Sequence, residues 1–196
     1  NILAGMFSLG GQPDRALFEY RGQFDPLFAD LTYRGVPDIR TVVYRGHPVM
    51  AMVRLPTRRA DGKANLHQGA VGVGVDLASG RTVGGVLLDQ PVSEHPDTGH
   101  SIVGLEIPGW EGLLELAARC YDLTGLGYLG VDLVLDEELG PLVLELNARP
   151  GISIQIANRA GLRPRLLEVD RALGGGEPDT SASARVRLCR ERFGSG

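Results

Sequence analysis

Two short runs hold the side chains best placed to do chemistry: Gly127-Tyr-Leu-Gly-Val-Asp-Leu-Val-Leu135, and Leu142-Val-Leu-Glu-Leu-Asn-Ala-Arg-Pro-Gly151. Side chains alternate along a strand, so Asp132 shares one face with Tyr128, Gly130 and Val134. In the second run the same alternation sends Leu142, Leu144 and Leu146 to the apolar side and Val143, Glu145 and Asn147 to the side of Asp132. If Asp136 pairs with Pro141 across a four-residue loop, Asp132 lies opposite Glu145 and Gly130 opposite Asn147. Directly opposed residues have Cβ atoms roughly 4.5–5.5 Å apart, and like charges there repel. A divalent cation is the simplest compensation. Carboxylate and amide oxygens are hard ligands suited to Mg²⁺, with Mn²⁺ as an alternative, and Gly130 leaves room for the ligand. The competing reading is an exposed hairpin whose acids point into water. Val134, Val143 and Tyr128 on the same face argue that the face is covered.

The elements that must position these groups follow from periodicity. Ala16–Tyr20 reads as a short strand. Ile39–Tyr44 and Val49–Arg54 flank the turn chemistry of Arg45-Gly46-His47-Pro48, and Ala70–Leu77 and Thr82–Leu88 flank Ala78-Ser79-Gly80-Arg81, so two antiparallel hairpins are expected. Residues 89–109, with three prolines, read as an irregular connection. Trp110, Leu113, Leu114, Ala117, Ala118 and Tyr121 recur at helical spacing, and Gly125 follows as a stop. A helical segment spans about 153–171. Residues 173–196 read as a flexible tail, because Gly174-Gly-Gly-Glu-Pro offers little apolar surface to repay ordering. Gly69, Gly72 and Gly74 alternate with Val inside a strand and do not open a helix, so close backbone packing explains them better than a dinucleotide motif.

Composition narrows the classes. The 196 residues carry a net charge of −4, and nineteen of the twenty basic residues are Arg, Lys63 being the exception. No basic patch interleaved with aromatics appears, which speaks against nucleic acid as a partner. No apolar run approaches the roughly 20 residues of a membrane span. Cys120 and Cys189 fit neither a disulfide framework nor a metal motif, in keeping with a reducing, cytoplasmic setting.

The Gly-Val-Asp-Leu-Val-Leu and Leu-Glu-Leu-Asn-Ala-Arg-Pro-Gly runs resemble the metal-binding end of ATP-grasp ligases. The likeness is greatest to the alpha-L-glutamate ligase-like proteins related to the ligase that adds glutamate to ribosomal protein S6. Phe18-Glu19-Tyr20-Arg21 sits where the hinge that holds adenine would be, Pro37-Asp38-Ile39-Arg40 resembles the Asp-Ile-Arg that follows it, and Lys63-Ala-Asn-Leu-His-Gln-Gly-Ala70 precedes a phosphate-facing strand. The resemblance implies an α+β ATP-grasp architecture of antiparallel sheets with packed helices. Residues 1–172 would be the end of the lid subdomain plus the C-terminal subdomain, without the N-terminal domain, the lid loop and the lysines found upstream in that family. It further implies that Asp132, Glu145 and Asn147 hold Mg²⁺ against ATP. Phe18, Glu19, Tyr20 and Asn65 would contact the nucleotide, and Arg40, Arg54 and Arg149 would face phosphate or substrate carboxylate. The implied reaction joins a carboxylate of an amino acid or peptide to an amine through an acyl phosphate, and the chain alone is expected to be inactive in it. A non-catalytic nucleotide- or peptide-binding module and a phosphotransferase on the same scaffold are the alternatives.

Overall fold

The computed structural model describes residues 3–13, 15, 16, 20, 22, 23, 25–179 and 181–194. Its strands are β1 (Asp38–Tyr44), β2 (His47–Leu55), β3 (Val71–Val75), β4 (Thr82–Leu87), β5 (Gln90–Val92), β6 (Tyr128–Asp136) and β7 (Gly140–Asn147). They form one antiparallel sheet in the order β5-β4-β3-β2-β1-β6-β7, with β7 as an edge. The helices are α1 (Trp110–Thr124), α2 (Ile154–Ala157), α3 (Leu162–Leu173) and α4 (Ala182–Phe193). The architecture is thus α+β with a single antiparallel sheet.

Both expected hairpins form. Arg45 and Gly46, at φ 46° and 76°, make the two-residue turn between β1 and β2, the left-handed pair that matches strand twist. The central strands β1, β2, β3 and β6 are buried on both faces around a core that includes Val42, Val43, Val53, Val73 and Val131. The helical stripe closes as read, with Trp110, Leu113, Leu114, Ala117 and Ala118 buried and Gly125 left-handed at the end of α1. Trp110 donates its indole N–H to Leu77 O at 2.9 Å.

Outside the β6–β7 hairpin three expectations change. The helical segment from 153 breaks in two, because Asn158 turns its side-chain amide onto Ile154 O and Ala51 O, both at 2.9 Å, and α3 starts only after Gly161. The tail expected over 173–196 contains α4, whose Ser181 caps the first turn. Val186 and Cys189 on it are fully buried, and Arg185 is held by both carboxylate oxygens of Asp122. Burial pushes the Cys189 thiol up to about 12, which leaves it an inert core residue. The connection after β4 also holds the short strand β5.

The hairpin of β6 and β7 differs in register. The structure pairs Asp136 with Gly140, not Pro141, across Glu137-Glu138-Leu139. Gly140 is left-handed at φ 72°, and Asp136 Oδ1 accepts the amides of Glu138 and Leu139. The left-handed residue is thus the first of β7, directly after the three-residue loop. A bulge between Asp132 and Leu133 then restores the offset, so Asp132 does face Glu145 and Gly130 does face Asn147. Below the bulge the faces exchange: Val143 pairs with Leu133, Leu142 pairs with Val134, and Leu144, expected in the core, is the extra residue and 63% exposed.

Candidate functional site

Four strands bring the chemistry to one patch of one face. Arg40 on β1 is the direct partner of Asp132 on β6, Asp38 on β1 the partner of Arg54 on β2, and Asp132 the partner of Glu145 on β7. The side chains interlock. Arg40 donates Nε to Asp132 Oδ1 at 2.7 Å and Nη2 to Oδ2 at 2.6 Å. Arg54 forks onto Asp38, with Nε on Oδ1 and Nη2 on Oδ2 both at 2.5 Å, and Nη2 also reaches Asp132 Oδ2 at 2.7 Å. Two planar forks and two carboxylates therefore form a closed, neutral unit, which suits arginine better than lysine.

The charge opposed to Asp132 is thus supplied first by arginine. Asp132 is 2% exposed, whereas Glu145 is exposed and makes no hydrogen bond or ion pair among the described residues. Burial pushes the Asp38 carboxyl up, to about 6, against the pull of Arg54. Asn147 lies within 3.4 Å of Asp132 Oδ2 through its side-chain nitrogen. The room expected above Gly130 is taken: a Cβ there would lie 2.6 Å from Pro150 Cβ.

The donor set still fits a hard divalent cation. Asp132 Oδ1 takes only one hydrogen bond and so keeps a lone pair, the Glu145 carboxylate is unengaged, and Asn147 has an amide oxygen to offer. Two carboxylates and one amide make up the set; among the described residues no three His, Cys, Asp or Glu side chains cluster as metal ligands.

Arg40 and Arg54 also line a small cleft of about 50 Å³ with Met52, Asn65, Leu66 and Gly151. Their Nη1 groups carry none of the bonds above, so N–H donors are left for an anion. Asn65 is brought to this cleft, where its Oδ1 accepts His67 N at 3.0 Å and caps a 3₁₀ turn over Leu66–Gln68. Arg149 is not drawn into the cluster; it sits on an exposed bend and has no polar partner among the described residues. Phe18 and Glu19 lie outside the described residues. Tyr20 is described, but it is 58% exposed and directs its hydroxyl to Asp136 Oδ1 at 3.5 Å, four residues along β6 from Asp132.

Two features were not singled out as functional from the sequence. Asp38 was noticed only within Pro37-Asp38-Ile39-Arg40, although its spacing of two from Arg40 already placed both on one face. The glycines of β3 are the second. A Cβ on Gly74 would lie 2.5 Å from Ala157 O, and one on Gly72 would lie 2.8 Å from Leu66 Cδ2. These two glycines let α2 and the Leu66 turn sit directly on the sheet, and so build the walls beside the cleft.

Comparison with known proteins gives one family. A model described as sugar-transfer associated ATP-grasp matches residues 1–171. No curated protein matches the chain. No described helix is long and apolar enough to cross a membrane.

Proposed function

The chain belongs to the sugar-transfer associated ATP-grasp family, and from that premise we propose that it takes part in ATP-dependent joining of a carboxylate to an amine. Membership supports ATP binding as the coarse function; the finer likeness to glutamate ligases rests on the Asp132 and Glu145-x-Asn147 motifs. The observation that carries the reading is the placement of Asp132, Glu145 and Asn147 on one face with two arginines that still have donors to spare.

In this reading Asp132, Glu145 and Asn147 would hold Mg²⁺ or Mn²⁺, which when bound neutralises charge on the ATP phosphates. The chain's own residues do the rest. Arg40 and Arg54, fixed by Asp132 and Asp38, present Nη1 donors to the transferring phosphoryl group without reorganising. A substrate carboxylate oxygen attacks the γ-phosphorus and ADP leaves; the amine nitrogen then attacks the acyl carbon, phosphate departs, and the amine proton passes to solvent. One observation favours the non-catalytic alternative: both arginines are already paired with carboxylates, and Lys63 is exposed and apart from the cleft lining.

Calorimetric titration of MgATP into wild type and Glu145→Gln tests the reading. Glu145 is exposed on an edge strand, so the variant should fold normally and bind MgATP at least tenfold more weakly. Equal affinities would overturn the metal assignment. MgATP binding without acceptor-dependent ADP release would favour the binding module.

A further inference from the structure

A second and larger cleft, about 340 Å³, adjoins the Arg40–Arg54 cleft and shares Leu66, His67 and Ser153 with it. Its volume lies within the range of small-molecule sites. The two glycines of β3 set the walls, and Val86 of β4 lines the space between them. At the far end stand Leu88 and Asp89, the two-residue turn between Leu87 and Gln90. Both have positive φ, 45° and 65°. Such turns favour Asn-Gly, and a branched Leu is disfavoured there. Backbone held in sparsely populated conformations concentrates at ligand sites. Leu88 at 41% exposure and Ile156 at 46% leave apolar surface facing the cleft. The exposed Asp89 carboxylate makes no hydrogen bond or ion pair among the described residues.

The two clefts therefore adjoin and differ in the charge at their far ends. The inner end carries two guanidinium groups and suits an anion. The outer end carries a carboxylate, repels an anion and attracts a cation, and between the ends Leu66, Val86 and Ile156 give apolar wall, with His67 and Ser153 as polar groups at the junction. We infer that the outer cleft is the acceptor subsite of the proposed ligase and takes a primary amine bearing an apolar substituent. The ammonium is received at Asp89, the substituent lies against Leu66, Leu88 and Ile156, and the wall shared with Arg40 and Arg54 is the way to the activated carboxylate. The word acceptor rests on the ligase reading; the preference for an amine rests on this cleft alone.

The test needs no nucleotide. 2-Phenylethylamine, 2-phenylethanol and 3-phenylpropionate are titrated separately into the isotopically labelled chain, and binding is read from amide shifts. The amine should give saturable shifts over 86–90 and 153–156. The alcohol should bind about fivefold more weakly, the effect of an exposed ion pair of roughly 1 kcal/mol, and the carboxylate more weakly still. Asp89→Asn, which suits the left-handed turn, should erase the advantage of amine over alcohol. Leu88→Gly, which relieves the turn, should weaken both. The inference is overturned if the carboxylate binds as tightly as the amine, if the shifts fall elsewhere, or if Asp89→Asn leaves amine affinity unchanged. MgATP titration of the same samples keeps the outcomes separate: amine binding without MgATP binding would remove the ligase reading and leave the amine subsite standing.

Discussion

Replacing Asp132 by Ala asks whether this face is governed by a buried charge cluster or by repulsion between two acids. Repulsion alone would make the truncation harmless. The structure says otherwise. Asp132 is 2% exposed and accepts both hydrogen bonds that Arg40 makes, while the hydrogen bonds to Asp38 come from Arg54. Truncation leaves Arg40, with its side chain 13% exposed, without a hydrogen-bonded carboxylate and gives the cluster a net positive charge. Removing one partner of a buried ion pair costs about 3–5 kcal/mol. Arg40 borders a cleft that admits solvent, so the lower end, about 3 kcal/mol, is expected. Urea unfolding measures it. Glu145→Ala, by contrast, removes an exposed and unpaired acid and should change stability by no more than about 0.5 kcal/mol. Combining Asp132→Ala with Arg40→Met should recover at least about 2 kcal/mol, since no charge is then left unpaired. A loss below about 1 kcal/mol for Asp132→Ala, or equal losses for the two acids, would refute the reasoning.

Three further outcomes are expected. With its carboxyl raised to about 6, Asp38 binds a proton in the fold that the unfolded chain has released, so its contribution is fully present below about pH 4 and is lost as pH rises through 6; Asp38→Asn should flatten that stretch of the stability curve in pH-dependent urea melts. Removing α4 by truncation after Asp179 uncovers the pocket of Val186, Cys189 and Phe193 and should cost more than about 3 kcal/mol, from roughly 1.5–3 kcal/mol per large apolar side chain; an unchanged melting temperature would show that α4 does not dock. Gly74→Ala forces α2 off the sheet and should cost about 1–3 kcal/mol in thermal melts, with altered amide shifts over 153–158.

Local chemistry was legible where one rule dominated. The stripe of α1 and the turn at Arg45-Gly46 each follow from a single periodicity or a single φ requirement. The opposition of Asp132 and Glu145 was also reached, but by two offsetting departures: a loop one residue shorter than expected and a bulge that takes the residue back. Sequence spacing cannot separate those cases, because only the sum of the two shifts is visible in it. The roles of Arg40 and Arg54 were half legible. The resemblance implied that they face phosphate, yet their pairing with Asp132 and Asp38 depends on strand order, which brings β1 between β2 and β6. α4 was missed because its charged residues hide a sparse apolar pattern; Val186, Cys189 and Phe193 recur at i, i+3 and i+7, and Arg185 is buried by its pairing with Asp122.

The bulge at Leu144 bears on solubility as well as on register. β7 is the outermost strand, and Val143 and Leu144 leave it 40% and 63% exposed at those positions, a combination that invites another chain to add itself along the free backbone. An extra residue bends such a rim and spoils it as a template. Deleting Leu144 would leave Glu145 next in line after Val143, still opposite Asp132, on a strand without the bend. The acid pair would survive, and the edge would be a better template for another strand. Leu144, which takes no part in the acid pair, is then the residue whose insertion bends the margin on which Glu145 is carried and blunts it against edge-to-edge pairing.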